Sequence, residues 1–245
     1  MAVCRWQPWA VDSGRYGSKL VTPLSFCSTK HSSTIHMPPI LQEVVRDTSN
    51  MELLSCLDRL LTDERLLTEA ASRSYRHQLG FRKFVLMADD VGRCLRMHVW
   101  DRPFVVQEDV HSHCANFHSR VVLGSLSEHS FDLVVGDSHA RFRYRFDSSA
   151  GHSVAVKDGL TGVCLRKRRT LSQGDTYSKQ AFELHSVSSA EQGTVTVSAW
   201  DLRNSEAMVL RPRGAQPEDC TASSGMPISE IRVALRNVLE RLSRK

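Results

Sequence analysis

The sequence from about residue 83 onwards is a run of short segments in which apolar and polar residues alternate, with no helical segment between them. A period of two is typical of half-buried strands. About eight or nine such segments follow one another, separated by turn-forming residues such as Gly136-Asp137-Ser138. This pattern predicts a mainly β fold, a jelly-roll β-barrel in which the sheet edges are closed or covered. The clearest strand segments are 83–87, 94–100, 121–123, 129–135, 140–146, 162–165 and 193–197.

Segments of different character flank the strands, so the chain is expected to have four parts. Residues 1–38 show no sustained period and predict a poorly ordered leader. Residues 39–79 show the three- and four-residue spacing of two helices, either a cap on the sheet or a groove for a partner. Residues 80–211 form the barrel, and 212–245 form a connector and an amphipathic helix.

Charge and cysteine content narrow the class of protein. The net charge of +5 arises from 32 basic and 27 acidic residues, a balance that predicts no nucleic-acid partner. No stretch approaches the roughly 20 apolar residues of a membrane span. The seven cysteines include no C-x-x-C pair, which favours reduced thiols and a cytoplasmic location.

A histidine cluster is the strongest chemical signal. His111 and His113 are two residues apart, so both side chains leave the same face of an extended strand, and His118 follows shortly after. Two imidazoles on a face that lines a barrel converge as a divalent metal requires. A surface pair of histidines explains the same spacing without any metal.

His185 is the best candidate for a third ligand. It precedes a clearly alternating strand, whereas the other histidines of the β region lie beside turn residues or before the cluster. Three histidines on two strands leave metal positions open for water, substrate or dioxygen. The competing interpretation is that His185 is a hydrogen-bonded core histidine.

These residues resemble the two metal-binding motifs of the cupin superfamily, particularly its cysteine-dioxygenase-like members. The resemblance covers roughly residues 80–205 and rests on His111-Ser-His113, Gly124 at the end of the following strand, and Phe182-Glu-Leu-His185-Ser-Val187. It implies a cupin-type barrel in which His111, His113 and His185 bind a metal, Fe(II) first and otherwise zinc, nickel or manganese.

The resemblance also departs from the family at one position. Many cupins place a glutamate five residues after the second histidine, and His118 occupies that place here. His118 is therefore a fourth ligand, a group beside the metal that orients substrate, or an outward-facing polar residue.

Further candidates depend on which face of each strand lines the barrel. Arg96 and His98 alternate with apolar neighbours and share one face. In the lumen, Arg96 would hold a substrate carboxylate and His98 or Tyr177 would serve as proton partners. On the solvent face they would be ordinary polar residues. The run from Arg166 to Arg169 is expected to be a solvated strand end.

The sequence thus predicts a mononuclear Fe(II) dioxygenase or oxygenase that uses O2 on a small molecule, a thiol or an amino-acid derivative. A redox-neutral isomerase or lyase with a different metal would need the same histidines. A barrel that binds a small ligand or a protein without catalysis is the third hypothesis, because fold does not fix function. A homodimer formed through sheet edges is expected.

Overall fold

The structure is a computed structural model that describes residues 39–76, 81–102, 108–147, 152–203, 206–217 and 225–244. The predicted leader, residues 1–38, lies outside the described residues, as does part of the predicted connector. Within the described residues, no helix is both long enough and apolar enough to cross a membrane.

In the part of the chain that the structure describes, three helices precede the strands, one more than the sequence predicted. They are α1 (Pro39–Arg46), α2 (Met51–Thr62) and α3 (Glu64–Arg73). Asp63 separates α2 from α3 because its carboxylate accepts hydrogen bonds from the backbone N–H groups of Arg65 and Leu66. The additional helix boundary lies between α1 and α2. Asn50, directly before α2, has a left-handed φ of 66°, a conformation that a right-handed helix cannot contain.

Two antiparallel sheets form the body of the protein. The first has six strands in the order β1-β2-β3-β10-β5-β8, and the second has five in the order β11-β4-β9-β6-β7. The strands are β1 (Tyr75–Arg76), β2 (Arg82–Ala88), β3 (Cys94–Val99), β4 (Val110–His111), β5 (Phe117–Leu123), β6 (Ser125–Asp147), β7 (His152–Ser172), β8 (Thr176–Lys179), β9 (Leu184–Ala190), β10 (Val195–Trp200) and β11 (Ala207–Pro212).

A long hairpin of β6 and β7 replaces several of the short strands predicted from the sequence. The prediction of a chain reversal at Gly136-Asp137-Ser138 is wrong. The pairing moves from Val134 opposite Gly162 to His139 opposite Thr161, so residues 135–138 have no partner in β7 and the strand then continues. It continues because its far half pairs with β11. The turn-forming residues therefore produce a bulge within one strand.

The main apolar core lies between the first sheet and the helices. The final helix, α4 (Ile228–Ser243), packs against α2 and α3 and buries Ile231, Leu235 and Val238 there. Phe84, Leu95 and Val197 supply the sheet side of this core. The prediction of a mainly β jelly-roll barrel with N-terminal helices and a C-terminal helix is confirmed. The opposite face of the first sheet remains available to line a cavity between the sheets.

Candidate metal centre

Three histidine rings meet between the two sheets. His111 ends β4 and stands directly opposite His185 of β9, and His113 follows two residues later. One nitrogen from each ring lies within 4.8 Å of the others, and each residue is only 5% exposed. Nε2 of His113 and Nε2 of His185 are 2.8 Å apart. The structure therefore brings together the three histidines that the sequence singled out, and they could bind a metal.

Hydrogen bonds determine which ring nitrogen of His111 and of His185 can face a metal. Nδ1 of His111 lies 2.9 Å from the carbonyl oxygen of Asp109, and Nδ1 of His185 lies 2.7 Å from Oε1 of Glu128. Because a carbonyl and a carboxylate only accept, both Nδ1 atoms carry the proton. Nε2 of each ring is then the nitrogen left to coordinate a metal. A divalent metal fits this donor set, since neutral imidazole nitrogens held by such partners are its usual ligands.

The surroundings keep two of the rings neutral. Burial, followed by the nearby His111 ring, His185 and Arg96, sets the pKa of His113 well below its ordinary value of 6.5. Burial also lowers the pKa of His185, although the hydrogen bond to Glu128 partly opposes the shift. Neutral imidazole is the form that binds a metal.

A buried carboxylate holds His185 from behind. Glu128 is 1% exposed, and its Oε1 also accepts a hydrogen bond from Nζ of Lys179 at 2.8 Å. Its Oε2 accepts one from Nε of Arg169 at 2.5 Å. Burial alone would raise the pKa of Glu128, but the hydrogen bonds from His185 and Lys179 outweigh burial and lower it strongly. Arg169 is thus part of this network, and the prediction that the basic run is simply solvated fails for this residue.

The triad opens into a cavity of about 70 Å³ that both sheets line. Arg96 and His98, on β3, contribute to the wall, as does Tyr177 on β8. The Arg96 guanidinium lies 3.9 Å above the Trp200 ring. His98 packs against Phe81, with ring centroids 5.2 Å apart. All three residues lie on the lumen side of their strands, one of the two placements that the sequence left open.

Tyr177 is held as a neutral phenol. Burial raises its pKa to about 12, although a hydrogen bond with Ser119 opposes the shift. Its ring stands edge-on to Phe117 at 6.1 Å, so its position is fixed by packing as well.

His118 is not brought to the site. It lies between Phe117 and Ser119, which both line the cavity, so its own side chain leaves the opposite face of β5. It is exposed, and its Nδ1 lies 2.7 Å from the Ser178 hydroxyl. Of the three placements weighed for His118, the structure shows the outward-facing one.

Several lumen residues were missed from the sequence. Lys83 of β2 donates a hydrogen bond to the hydroxyl of Tyr75 at 3.0 Å, and both side chains line the cavity. Alternation places Lys83 on the face of Arg96 and His98, so the strand pattern carried a signal for it. Glu108 and Glu128 gave no comparable signal, because neither lies in a recognisable motif.

Comparison with known proteins gives distant likeness only. No protein-family model matches the chain, and no curated protein matches it. Among solved structures, KdgF from Halomonas sp. is 13% identical over 51% of this chain and 82% of that chain, with a TM-score of 0.31. An RmlC-like cupin from Shewanella frigidimarina NCIMB 400 is 16% identical over 51% and 80%, with a TM-score of 0.29. An oxalate oxidase is 15% identical over 67% and 71%, with a TM-score of 0.33. The strand pairing within this chain, and not the likeness to these structures, therefore defines the fold.

Proposed function

We propose that this protein is a mononuclear metal-dependent enzyme of the cupin type, an Fe(II) dioxygenase or oxygenase acting on a small molecule with an anionic group. The observation that carries the proposal is the buried convergence of His111, His113 and His185 at the wall of a cavity between the sheets. Bound Fe(II) would supply open positions at which a substrate and O2 meet. A purely structural site would need no cavity beside it.

The chain itself holds and orients the ligands. Asp109 and Glu128 direct Nε2 of His111 and of His185 toward a common centre by accepting the Nδ1 protons. The aromatic wall of Phe117 and Trp200, stacked with ring centroids 4.3 Å apart, fixes the third ring, because His113 packs edge-on against both. An aromatic wall of this kind suits a site where reactive species must be kept from side reactions.

Arg96 supports the assignment of an anionic substrate. It is 7% exposed, and its buried Nη1 has no hydrogen-bond partner among the described residues. A buried guanidinium N–H without a partner is costly, and a carboxylate that enters the cavity would satisfy it. A cavity of about 70 Å³ suits a small substrate such as a thiol or an amino-acid derivative.

A reducing compartment is consistent with this chemistry. The four cysteines that the structure describes, Cys56, Cys94, Cys114 and Cys164, are all free thiols. We therefore propose a cytoplasmic location, with O2 as co-substrate.

The test is elemental analysis of the untagged protein and of three variants, followed by oxygen-uptake assays. His111→Ala and His185→Ala remove proposed ligands, and His118→Ala is the matched control because this histidine lies outside the site. We expect about one iron per chain in the wild type and in His118→Ala, and none in the other two.

Other results would redirect or refute the proposal. Zinc, nickel or manganese lost in the same two variants, without oxygen uptake, would indicate a redox-neutral isomerase or lyase. If Fe(II) reconstitution without oxygen leaves the wild type free of any metal, the enzyme hypothesis fails and a ligand-binding barrel remains.

A further inference from the structure

We infer that Glu108 is a fourth protein ligand of the metal centre, a role that rests on the proposed function. Glu108 lies three residues before His111, outside the histidine motif, and its side chain lines the same cavity. The chain thus offers a carboxylate oxygen beside the histidine rings.

The position of the carboxylate supports this role. Oε1 of Glu108 lies 3.9 Å from Nε2 of His111, and the Glu108 side chain is 12% exposed. Two ligand atoms on one ion are separated by at most twice a bond of about 2.1 Å, so 3.9 Å lies within reach of a shared metal. Oε2 accepts a hydrogen bond from the backbone N–H of Val187 at 2.7 Å, which fixes the side chain from β9.

Charge balance gives an independent reason. Among the described residues that line the cavity, Glu108 is the single carboxylate, whereas Lys83 and Arg96 are cations. Three neutral imidazoles leave the full charge of a divalent ion in a buried space that already holds two positive side chains. Buried charges require nearby compensation, and a coordinating carboxylate provides it.

The experiment measures metal affinity and coordination in Glu108→Gln. Glutamine keeps the shape and can still accept the hydrogen bond from Val187, so the anchor survives while the charge is lost. Affinity for Co(II) and Fe(II) is measured by competition with a chromophoric chelator, and the visible spectrum of the Co(II) protein reports the ligand set. His118→Gln is the matched control, and His111→Ala tests the metal site itself.

We expect metal binding in Glu108→Gln to be roughly 10- to 100-fold weaker, the size found when groups that support a metal are removed. We also expect a changed Co(II) spectrum and a smaller metal-induced rise in Tm, with an unchanged Tm of the metal-free protein. His118→Gln should match the wild type throughout. If Glu108→Gln matches the wild type while His111→Ala loses the metal, the role of Glu108 is refuted and the metal site stands. If the wild type binds no metal, the proposed function fails first.

Discussion

Removing the Glu128 charge should destabilise the metal-free protein by about 3 kcal/mol, the lower end of the range for breaking a buried ion pair. The structure sets this size. Glu128 and Lys179 are 1% and 3% exposed, so neither charge can return to water without local unfolding. Arg169 is 26% exposed and can relax toward solvent, so its loss of a partner adds little. Glu128→Gln isolates the charge, because the side chain keeps its shape.

A double-mutant cycle tests whether the pair is coupled. Lys179→Met alone should also lower the free energy of unfolding, because Glu128 then keeps only Arg169 and His185 as partners. The double variant should be less destabilised than the two single effects together, with a coupling energy of about 1–3 kcal/mol.

Urea denaturation of metal-free protein, prepared with a chelator, is the assay. Working without metal separates the electrostatic effect from any loss of metal binding, and an unchanged m value shows that the same surface is exposed on unfolding. If Glu128→Gln unfolds within about 1 kcal/mol of the wild type, or if the cycle is additive, the carboxylate is not held by a buried pair.

Three further predictions concern stability and titration. Arg120→Met should lower the free energy of unfolding by about 2–3 kcal/mol in urea, because the buried guanidinium donates to the carbonyl of Val45 at 2.8 Å; no measurable loss would contradict this role. Gly124→Ala should cost more stability than Gly174→Ala, since both have positive φ but only at Gly124 would the new Cβ lie 2.5 Å from a neighbouring side chain; equal costs would oppose this. The pKa of Tyr177 should be about 12 in the folded protein rather than 10, so the free energy of unfolding should fall as pH rises above 10. Tyr177→Phe should remove the corresponding high-pH step from the tyrosinate absorbance.

The sequence predicted those residues of the site that follow strand periodicity. His111 and His113 share a face by their spacing, and alternation placed Arg96 beside His98. Periodicity cannot show which of two faces lines the cavity, so the orientation of Arg96 and His118 stayed open until the sheets were paired.

Side chains that only long-range strand pairing brings together could not be predicted from the local sequence. Glu128 reaches His185 because β6 pairs with β9 in one particular register, which places Glu128 opposite Val187. Glu108 lies only three residues from His111, but its anchor is a hydrogen bond from the backbone of Val187, 79 residues further along the chain. The bulge at residues 135–138 was missed for a related reason, since the strand continues beyond it through pairing with the distant strands β7 and β11.

The β6–β7 hairpin has a consequence for how the chain assembles. His113 and His185 are 72 residues apart in sequence, and the hairpin occupies most of that interval, with Ser125 paired to Ser172 at its base. Once the hairpin has formed, the chain still to be closed between the two histidines shortens from 72 residues to about 25. The entropic free-energy cost of closing this loop is then lower by about 1 kcal/mol. The longest structural element, which contributes no histidine to the cluster, therefore makes it easier for the two distant halves of the cluster to meet.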